Sequence, residues 1–231
     1  MTSVQQAPIQ GTTMRVRKVD GCGTPVTTSC SAATSTGFVS VEMQDQVDNG
    51  QEIVVQNAQG LNCVVTKSPE QLKWMNVTIT FCNVDPELFN LVTGSTLVLN
   101  DAAAPSAVGF QTRISNYATG AFGLEVWGNV AAPVCQTLGT FGGLVPYAYY
   151  LLPYIVEGRV GDLKIENSNV SFTVMGRTQT GTNWGTGINN VLANMTTGVA
   201  QKLLTALPSD THRHIQWTYL APPAATVGCT T

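Results

Sequence analysis

The feature that most constrains this chain is an alternation of apolar and polar residues on both sides of a short polar turn, in residues 162–174. The apolar row consists of Leu163, Ile165, Val170, Phe172 and Val174. Successive side chains of a strand point to opposite faces, so this row belongs to a core and the polar row between its members to an exposed face. The turn between the two runs, Asn167-Ser168-Asn169, tolerates left-handed backbone. The pattern predicts an antiparallel β-hairpin.

Alternation of the same kind recurs along most of the chain, and residues 147–156 form a longer apolar run that predicts a more buried strand. We count about nine to eleven strands in this way. The predicted fold is mainly β, an antiparallel β-sandwich or small barrel with one short flanking α-helix. Residues 12–207 are assigned to this domain, 1–11 to an N-terminal arm and 208–231 to an extended C-terminal arm.

Two segments carry helix-start signals. Asp85-Pro86 predicts a cap followed by a helix that ends at Gly94, with Leu88, Leu91 and Val92 on one face. Upstream, the segment 68–71 (Ser-Pro-Glu-Gln) has the pattern of a capping box and predicts a further turn or two of helix.

The segment 37–66 is predicted to be a β-meander. Asp48, Asn49 and Gly50 form a strong turn signal between a strand at 37–43 and a strand at 52–56. A second turn at 57–60 leads into a strand at 61–66. We expect the hairpin near Asn49 to extend beyond the body of the domain.

Composition narrows the classes of function. Charged residues make up 11% of the chain, against a usual share of about 25%, which favours a surface that faces other protein. The net charge of −3 argues against a conventional nucleic-acid-binding protein. The most apolar run, 144–156, is too short to cross a bilayer, and the N-terminus lacks the pattern of a signal peptide. The sequence therefore predicts a protein that is made and kept in a cytoplasm.

The six cysteines contain no CxxC pair, which argues against a zinc ribbon. Cys22 and Cys30 are near enough in sequence to close a small loop under oxidising conditions. Separate buried or unpaired thiols are the favoured alternative.

Residues able to do chemistry are few. His212 and His214 form half of a metal site on one strand face, but only Asp210 lies nearby in sequence, so a solvated or interface pair is favoured. Asp162 and Glu166 predict a polar strand face rather than a glycosidase pair. No catalytic motif is present, and neither a cofactor nor a metal is predicted.

Three segments in the same order resemble the major tail proteins of actinobacterial siphophages. They are GFVSVEMQDQVDNGQEIVVQNAQG at 37–60, FCNVDPELFNLVTG at 81–94 and YAYYLLPYIVEGRVGDLKIENSNVSFTVMGRTQTGTNWG at 147–185, and the likeness covers most of residues 11–215. The resemblance implies a tail-tube subunit that forms stacked hexameric rings. It further implies a lumen that holds a tape-measure protein and later conducts double-stranded DNA, partner proteins at the tail tip and terminator, and a place in the virion tail after assembly in the host cytoplasm.

The resemblance also suggests where contacts lie. By analogy with protruding loops in such tubes, candidates for ring-to-ring contacts are the two arms and the turn of Asp48, Asn49 and Gly50. Candidates for the lumen surface are the polar rows of the central hairpin. These residues are Lys164, Glu166, Ser171 and Thr173. The residues 67–69 (Lys-Ser-Pro) stand where the family pattern has a cysteine, so a shared disulfide is in doubt.

Two alternatives stay open at this point. A virion decoration protein would suit the low charge equally, although it has no need of a lumen. A carbohydrate-binding β-sandwich would need exposed aromatic residues beside Asp or Asn, and the four tryptophans are spread through the sequence. An enzyme would need a catalytic constellation that the sequence does not offer.

Overall fold

The computed structural model describes residues 7–131, 147–161, 163–165, 170–181, 192–193, 199–203 and 206–230. Strands hold 55% of the residues and helices 6%. The regular elements of the described residues are β1 (Pro8–Lys18), β2 (Ala32–Ser35), β3 (Phe38–Asp48), β4 (Glu52–Gln56), β5 (Asn62–Lys67), β6 (Gln71–Phe81), α1 (Pro86–Thr93), β7 (Thr96–Leu99), β8 (Ala107–Gln111), β9 (Gly120–Val130), β10 (Tyr147–Val160), β11 (Lys164–Ile165), β12 (Val170–Thr178), β13 (Leu192–Ala193), β14 (Ala200–Gln201) and β15 (His214–Thr218).

The main sheet is antiparallel and has the strand order β2-β1-β9-β10-β12-β6-β3, with β11 on β12 and β15 on β10. β10 pairs with β9 from Tyr147 to Gly158 and with β12 from Ile155 to Val160, and register shifts interrupt these pairings between Leu152 and Arg159. Such bulges bend a strand. The architecture is the predicted antiparallel β-sandwich with one α-helix, and it is not a closed barrel.

The first hydrophobic core joins the two halves of the main sheet. Its fully buried members include Met14, Val16, Val77, Ile79, Phe81, Leu124, Leu152 and Val174. These side chains alternate along their strands with polar or exposed ones, as the sequence pattern predicts. Each buried side chain of this size contributes about 1.5–3 kcal/mol.

Helix α1 forms as predicted and contributes to this core. The Asp85 Oδ1 accepts a hydrogen bond of 3.0 Å from the Glu87 backbone N–H, and Gly94 ends the helix with φ 70°. Leu88, Leu91 and Val92 are buried, and Phe89 joins them. The Phe89 ring stacks on that of Phe110 at 4.8 Å between centroids.

Two glycines allow the helix to approach the sheet. Gly120 on β9 and Gly158 on β10 are directly paired, and a Cβ at either would lie 1.9 Å from the Val92 carbonyl oxygen. Any larger residue at these two positions would therefore push the end of α1 off the sheet.

A second core lies on the other face of β1, β9 and β10. It contains Val19, Trp127, Tyr149, Leu151, Tyr154 and Val156, with Leu203 and Leu207 packed against it. At its centre the Glu125 carboxylate, with no exposed surface, accepts hydrogen bonds of 2.7 Å from both Arg15 Nη2 and the Tyr149 hydroxyl. The Arg15 guanidinium also lies 5.2 Å from the Trp127 ring centroid.

Three sequence predictions about local structure are settled by the strand pairing. The hairpin around residues 167–169 is confirmed in its strand pairing, since Lys164 pairs with Ser171 in β11 and β12, although the turn itself lies outside the described residues. Its predicted core row is only partly right, because Val174 is buried whereas Leu163 and Ile165 are 50% and 75% exposed. Tyr147–Val160 forms the predicted long strand. Residues 8–11, assigned to an N-terminal arm, are the first part of β1 and pair with β9.

The predicted helix at 68–71 is wrong. Gln71 already belongs to β6, where it pairs with Asp48, and Leu72 pairs with Val47. A capping box satisfies only a few local hydrogen bonds, and a helix of one or two turns has little stability of its own. The ladder between β3 and β6 gives hydrogen-bond partners to the backbone of almost every residue, so strand pairing is more stable here than the short helix.

The predicted β-meander over 37–66 is wrong in one of its two pairings. The strands at 52–56 and 61–66 do form a hairpin with its turn at 57–60, but the strand at 37–43 does not pair with them. The partner of β3 is β6, whereas β4 pairs only with β5 among the described strands. The alternating core row of β3, with Val41 and Met43, lies beside the core row of β6, with Val77 and Ile79. Burial of these two rows together decides the pairing of β3 with β6. The segment between the two strands, which contains β4 and β5, then extends away from the main sheet.

The cysteine predictions need correction as well. Cys30 forms a disulfide with Cys229, which lies 199 residues away. Cys22, Cys63 and Cys82 are free and exposed, and Cys135 lies outside the described residues. The bond fastens the C-terminal segment to β2, where backbone hydrogen bonds also link Thr230 to Ala32. No pattern in the sequence indicates a pairing between residues so far apart.

We expect the double variant Cys30→Ser/Cys229→Ser to lose about 2–5 kcal/mol of unfolding free energy, because the disulfide restrains a very long loop in the unfolded chain. Urea unfolding of the oxidised protein measures this difference. Cys63→Ser, which alters an exposed free thiol, is the matched control and should change stability by less than about 0.5 kcal/mol. Equal midpoints for the double variant and the native protein would contradict the disulfide.

Stability should also fall as the pH rises above 10. Burial, followed by the charge and hydrogen bond of Glu125, raises the pKa of Tyr149 well above its usual value of 10.0. Above that pH the unfolded chain releases the Tyr149 proton while the folded chain retains it, so the unfolded state is favoured. In urea unfolding between about pH 8 and pH 11, Tyr149→Phe should be less stable at neutral pH but decline less steeply than the native protein. Parallel declines would refute this role.

Candidate functional site

The β4–β5 hairpin is the most unusual surface of the structure. It leaves the body between Asp48 and Gln71, which are directly paired, and every residue from 51 to 73 is exposed. The large apolar residues of the hairpin, each roughly half exposed, are Ile53, Val54, Val55, Leu61, Val64 and Val65. An isolated two-stranded hairpin is marginally stable in water, and exposed apolar patches mark interaction surfaces.

Both faces of the hairpin are apolar. Val54 is directly opposite Val65, and Val55 is directly opposite Val64. Because neighbouring residues in a strand point to opposite faces, the two valine pairs lie on different sides of the hairpin. Full burial of the hairpin therefore requires a covering surface on each side.

The predicted ring-to-ring residues lie at the base of this hairpin. Asp48 ends β3 and forms an ion pair of 3.2 Å with Lys73. Asn49 follows, and Gly50 has φ 60°, at a crossing where a Cβ would lie 2.2 Å from the Ser68 carbonyl oxygen. The tip is formed instead by residues 57–60, where the Asn57 side chain accepts backbone hydrogen bonds.

The outer face of β3, β6 and β12 is a second candidate surface. It carries polar rows that remain partly or fully exposed, opposite the rows that enter the first core. Across the three strands its paired residues are Ser40–Thr80–Thr173, Glu42–Thr78–Met175 and Gln44–Asn76–Arg177. The predicted lumen residues Ser171 and Thr173 belong to this face of β12. Lys164 is paired with Ser171, but its side chain and all of Glu166 lie outside the described residues.

A groove of about 420 Å³ crosses this polar face. Arg177 Nη2 donates to Glu157 Oε1 at 2.6 Å, and the guanidinium lies 5.5 Å from the Trp74 ring centroid. The hydrogen bond from Arg177 lowers the pKa of Glu157 and raises that of Arg177. Glu157 has φ 58°, in the bulged part of β10. The groove combines an aromatic ring with charged and amide side chains.

The edge of β3 is a third feature. β3 ends the strand order, and within the described residues its eleven-residue length pairs only with β6. Across a groove of about 470 Å³, lined by residues such as Ile9, Phe38 and Val39, it faces the first part of β1. A long strand edge is a template on which another chain can pair.

Metal-binding groups are sparse in the described part of the chain. The one group of three suitable side chains there is Cys30, Glu87 and Cys229, and its two cysteines form the disulfide. The His212 ring bonds the Thr178 hydroxyl at 2.8 Å, and the His214 ring bonds Gln216 at 2.9 Å. Among the described residues, no helix has the length and apolar character needed to cross a membrane.

A scan against protein-family models finds no match to this chain, and a search of the curated proteins finds none either.

The sequence analysis placed the tip of the protruding hairpin near Asn49, whereas the structure places it at residues 57–60. One feature of the sequence does distinguish the β4–β5 hairpin. Both strands of the hairpin contain consecutive β-branched residues, at 53–55 and 64–65, instead of the alternation found in β3 or β12. Such a run is typical of a strand covered on both faces. In this hairpin, however, the run is exposed on both faces among the described residues.

Replacing residues 49–70 with a two-residue Asn-Gly turn should leave the domain folded, because Asp48 and Gln71 are already paired and such a turn joins adjacent strands. We expect the free energy of unfolding to change by less than about 1 kcal/mol, measured by urea unfolding. Ile79→Ala is a control for sensitivity and should cost about 2–5 kcal/mol. A large loss from the deletion would show that the hairpin packs on its own domain.

Proposed function

We propose that this protein is a structural subunit of a bacteriophage tail tube, which assembles into stacked hexameric rings. The lumen of the tube holds a tape-measure protein and then conducts double-stranded DNA into the host. The resemblance of segments 37–60, 81–94 and 147–185 to major tail proteins supports this proposal, and the mainly β fold with its one helix is compatible with it. The role is structural and requires no cofactor.

The observation that carries the proposal is the exposed β4–β5 hairpin with apolar pairs on both faces. A hairpin of this kind gains stability when it inserts between two other surfaces. In a tube, a copy in the next ring supplies such surfaces, and each copy offers its hairpin in turn. This is a head-to-tail contact, which repeats along an axis without a natural end.

The main sheet supports a closed ring. If β3 of one copy continues the sheet of its neighbour, every long edge is covered. The outer face of β3, β6 and β12 then lines the lumen, with Ser171 and Thr173 on it. This face mixes hydroxyl and amide side chains with Glu42 and Arg177, and Glu157 and Arg159 of β10 border its groove. With charges of both signs it offers no continuous basic track on which DNA would be held.

The expected partners follow from this role. Further copies of the chain form the tube, the tape-measure protein occupies the lumen during assembly, and tail-tip and tail-terminator proteins cover its two ends. Double-stranded DNA passes through without specific binding, and no membrane contact is required. The protein would then be located in the virion tail after assembly in the host cytoplasm.

The second candidate, a carbohydrate-binding or decoration protein of the virion, draws support from the groove beside Trp74. Sugars stack on exposed indole faces, and the groove also has amide and charged groups. However, the Arg177 guanidinium lies over the Trp74 ring and is held there by Glu157. The stacking surface that a sugar needs is therefore occupied, and we prefer the tube.

The test is negative-stain electron microscopy of the purified protein at high concentration, followed by mass measurement. We expect hollow rings or tubes of uniform bore, and a reconstruction with Ser171 and Thr173 on the bore. The variant Val55→Glu/Val64→Glu should remain folded but lose stacking by at least tenfold, because it places charges in a contact that must be dry.

Val108→Glu is the control, since it adds a carboxylate at a valine of the β7–β8 hairpin that is more exposed, at 60%, than Val55 or Val64. It should assemble like the native protein. Trimers, or a monomer that never assembles even in the presence of a tail-tip complex, would favour the decoration or binding role. Tubes formed equally well by the Val55→Glu/Val64→Glu variant would refute the hairpin contact.

A further inference from the structure

Two arginines lie two residues apart on the same face of β1 and differ sharply in their partners. Arg15 is directly opposite Glu125 on β9 and donates two hydrogen bonds to its carboxylate. Arg17 is directly opposite Gly123 on β9 and Ala32 on β2. Neither of these neighbours has a side-chain acceptor, so strand pairing gives Arg17 no anion.

Arg17 is nevertheless buried. The residue is only 6% exposed, and its Nε and Nη1 atoms are enclosed without any hydrogen-bond acceptor. A guanidinium stays protonated under all ordinary conditions. A buried charge without a partner is costly, and charges inside proteins are nearly always paired.

The nearest carboxylate, that of Glu125, does not neutralise the charge of Arg17. Glu125 already accepts hydrogen bonds from Arg15 and from the Tyr149 hydroxyl. These groups together carry two positive charges and one negative charge. Burial, followed by the charge of Arg15, lowers the pKa of Arg17, as is typical of a cation in unfavourable surroundings. Among the described residues, no acidic side chain forms an ion pair with Arg17.

We propose that Arg17 is the cation of a binding site for a small inorganic anion of the size of chloride or phosphate. The anion would accept hydrogen bonds from the enclosed guanidinium and cancel the excess positive charge beneath the second core. The site stabilises the monomer and does not depend on the proposed assembly.

The first experiment compares thermal unfolding in sodium chloride, in sodium phosphate and in the sodium salt of a bulky morpholine sulfonate, at constant sodium concentration. A ligand that binds only the folded state raises the unfolding temperature with its concentration. At about a hundredfold excess over the dissociation constant we expect a rise of about 5 to 10 °C in chloride or phosphate. The bulky sulfonate should give none of this rise, because it cannot reach an enclosed guanidinium.

The variant Arg17→Met keeps the apolar stem of the side chain and removes the charge, and it should abolish the anion-dependent rise. Lys18→Met is the matched control, since it removes a neighbouring cation that is exposed on the same strand, and it should retain the rise. An equal response in Arg17→Met and the native protein, or no response in the native protein, would overturn the proposal.

A second measurement serves if Arg17→Met does not fold. Crystals of the native protein grown in sodium bromide should show an anomalous bromide peak beside the Arg17 guanidinium. An ordered water in that place, without anomalous signal at saturating bromide, would show that water alone solvates Arg17 and would refute the anion site.

Discussion

The pairing of Arg15 with Glu125 fixes the register on which the rest of the structure depends. Glu125 lies in the middle of β9 with no exposed surface, and its carboxylate joins β1 through Arg15 and β10 through Tyr149. A shift of either neighbour by one residue would turn these groups to the other face of the sheet and leave a buried charge alone. The three strands therefore have one acceptable alignment. Farther along β9 and β10, beyond two register shifts, Gly120 lies beside Gly158 and leaves the space for α1.

The same strands explain why the two outer faces of the main sheet differ. β10 is shared by both halves of the sheet, and its register shifts fall in the region where its pairings with β9 and with β12 overlap. Beside β9 the outer face is buried in the second core, where Trp127 and Tyr149 pack edge to face at 5.0 Å. Beside β12 the outer face stays polar and partly exposed. The outer face of the curved main sheet is therefore buried in a core in its half beside β9 and exposed in its half beside β12.

The parts of the fold that were predictable from the sequence are the ones fixed by neighbouring residues. Helix α1 begins with the cap of Asp85 and ends at Gly94, a span of ten residues, so its signals are complete in a short stretch of sequence. The period of two likewise predicts β11 and β12. The choice of β6 as partner of β3 depends on contacts across more than twenty residues, and the Cys30–Cys229 bond on contacts across 199. The capping box at Ser68 is also a local signal, but the helix that it predicts does not form, because the residues that follow it pair with β3 instead.

The candidate surfaces show the same difference between features that neighbouring residues fix and features that depend on distant contacts. Alternation places Ser171 and Thr173 on the face opposite the core, but it does not say whether that face is covered by another layer. The turn signal of Asp48, Asn49 and Gly50 is local, and Gly50 has left-handed backbone in the structure, but the place of this turn at the base of the hairpin depends on the pairing of Asp48 with Gln71. What the sequence did contain was the run of β-branched residues in β4 and β5. In strands that leave the body, this run puts exposed apolar residues on both faces, and it therefore supports the proposed burial of the hairpin between neighbouring copies.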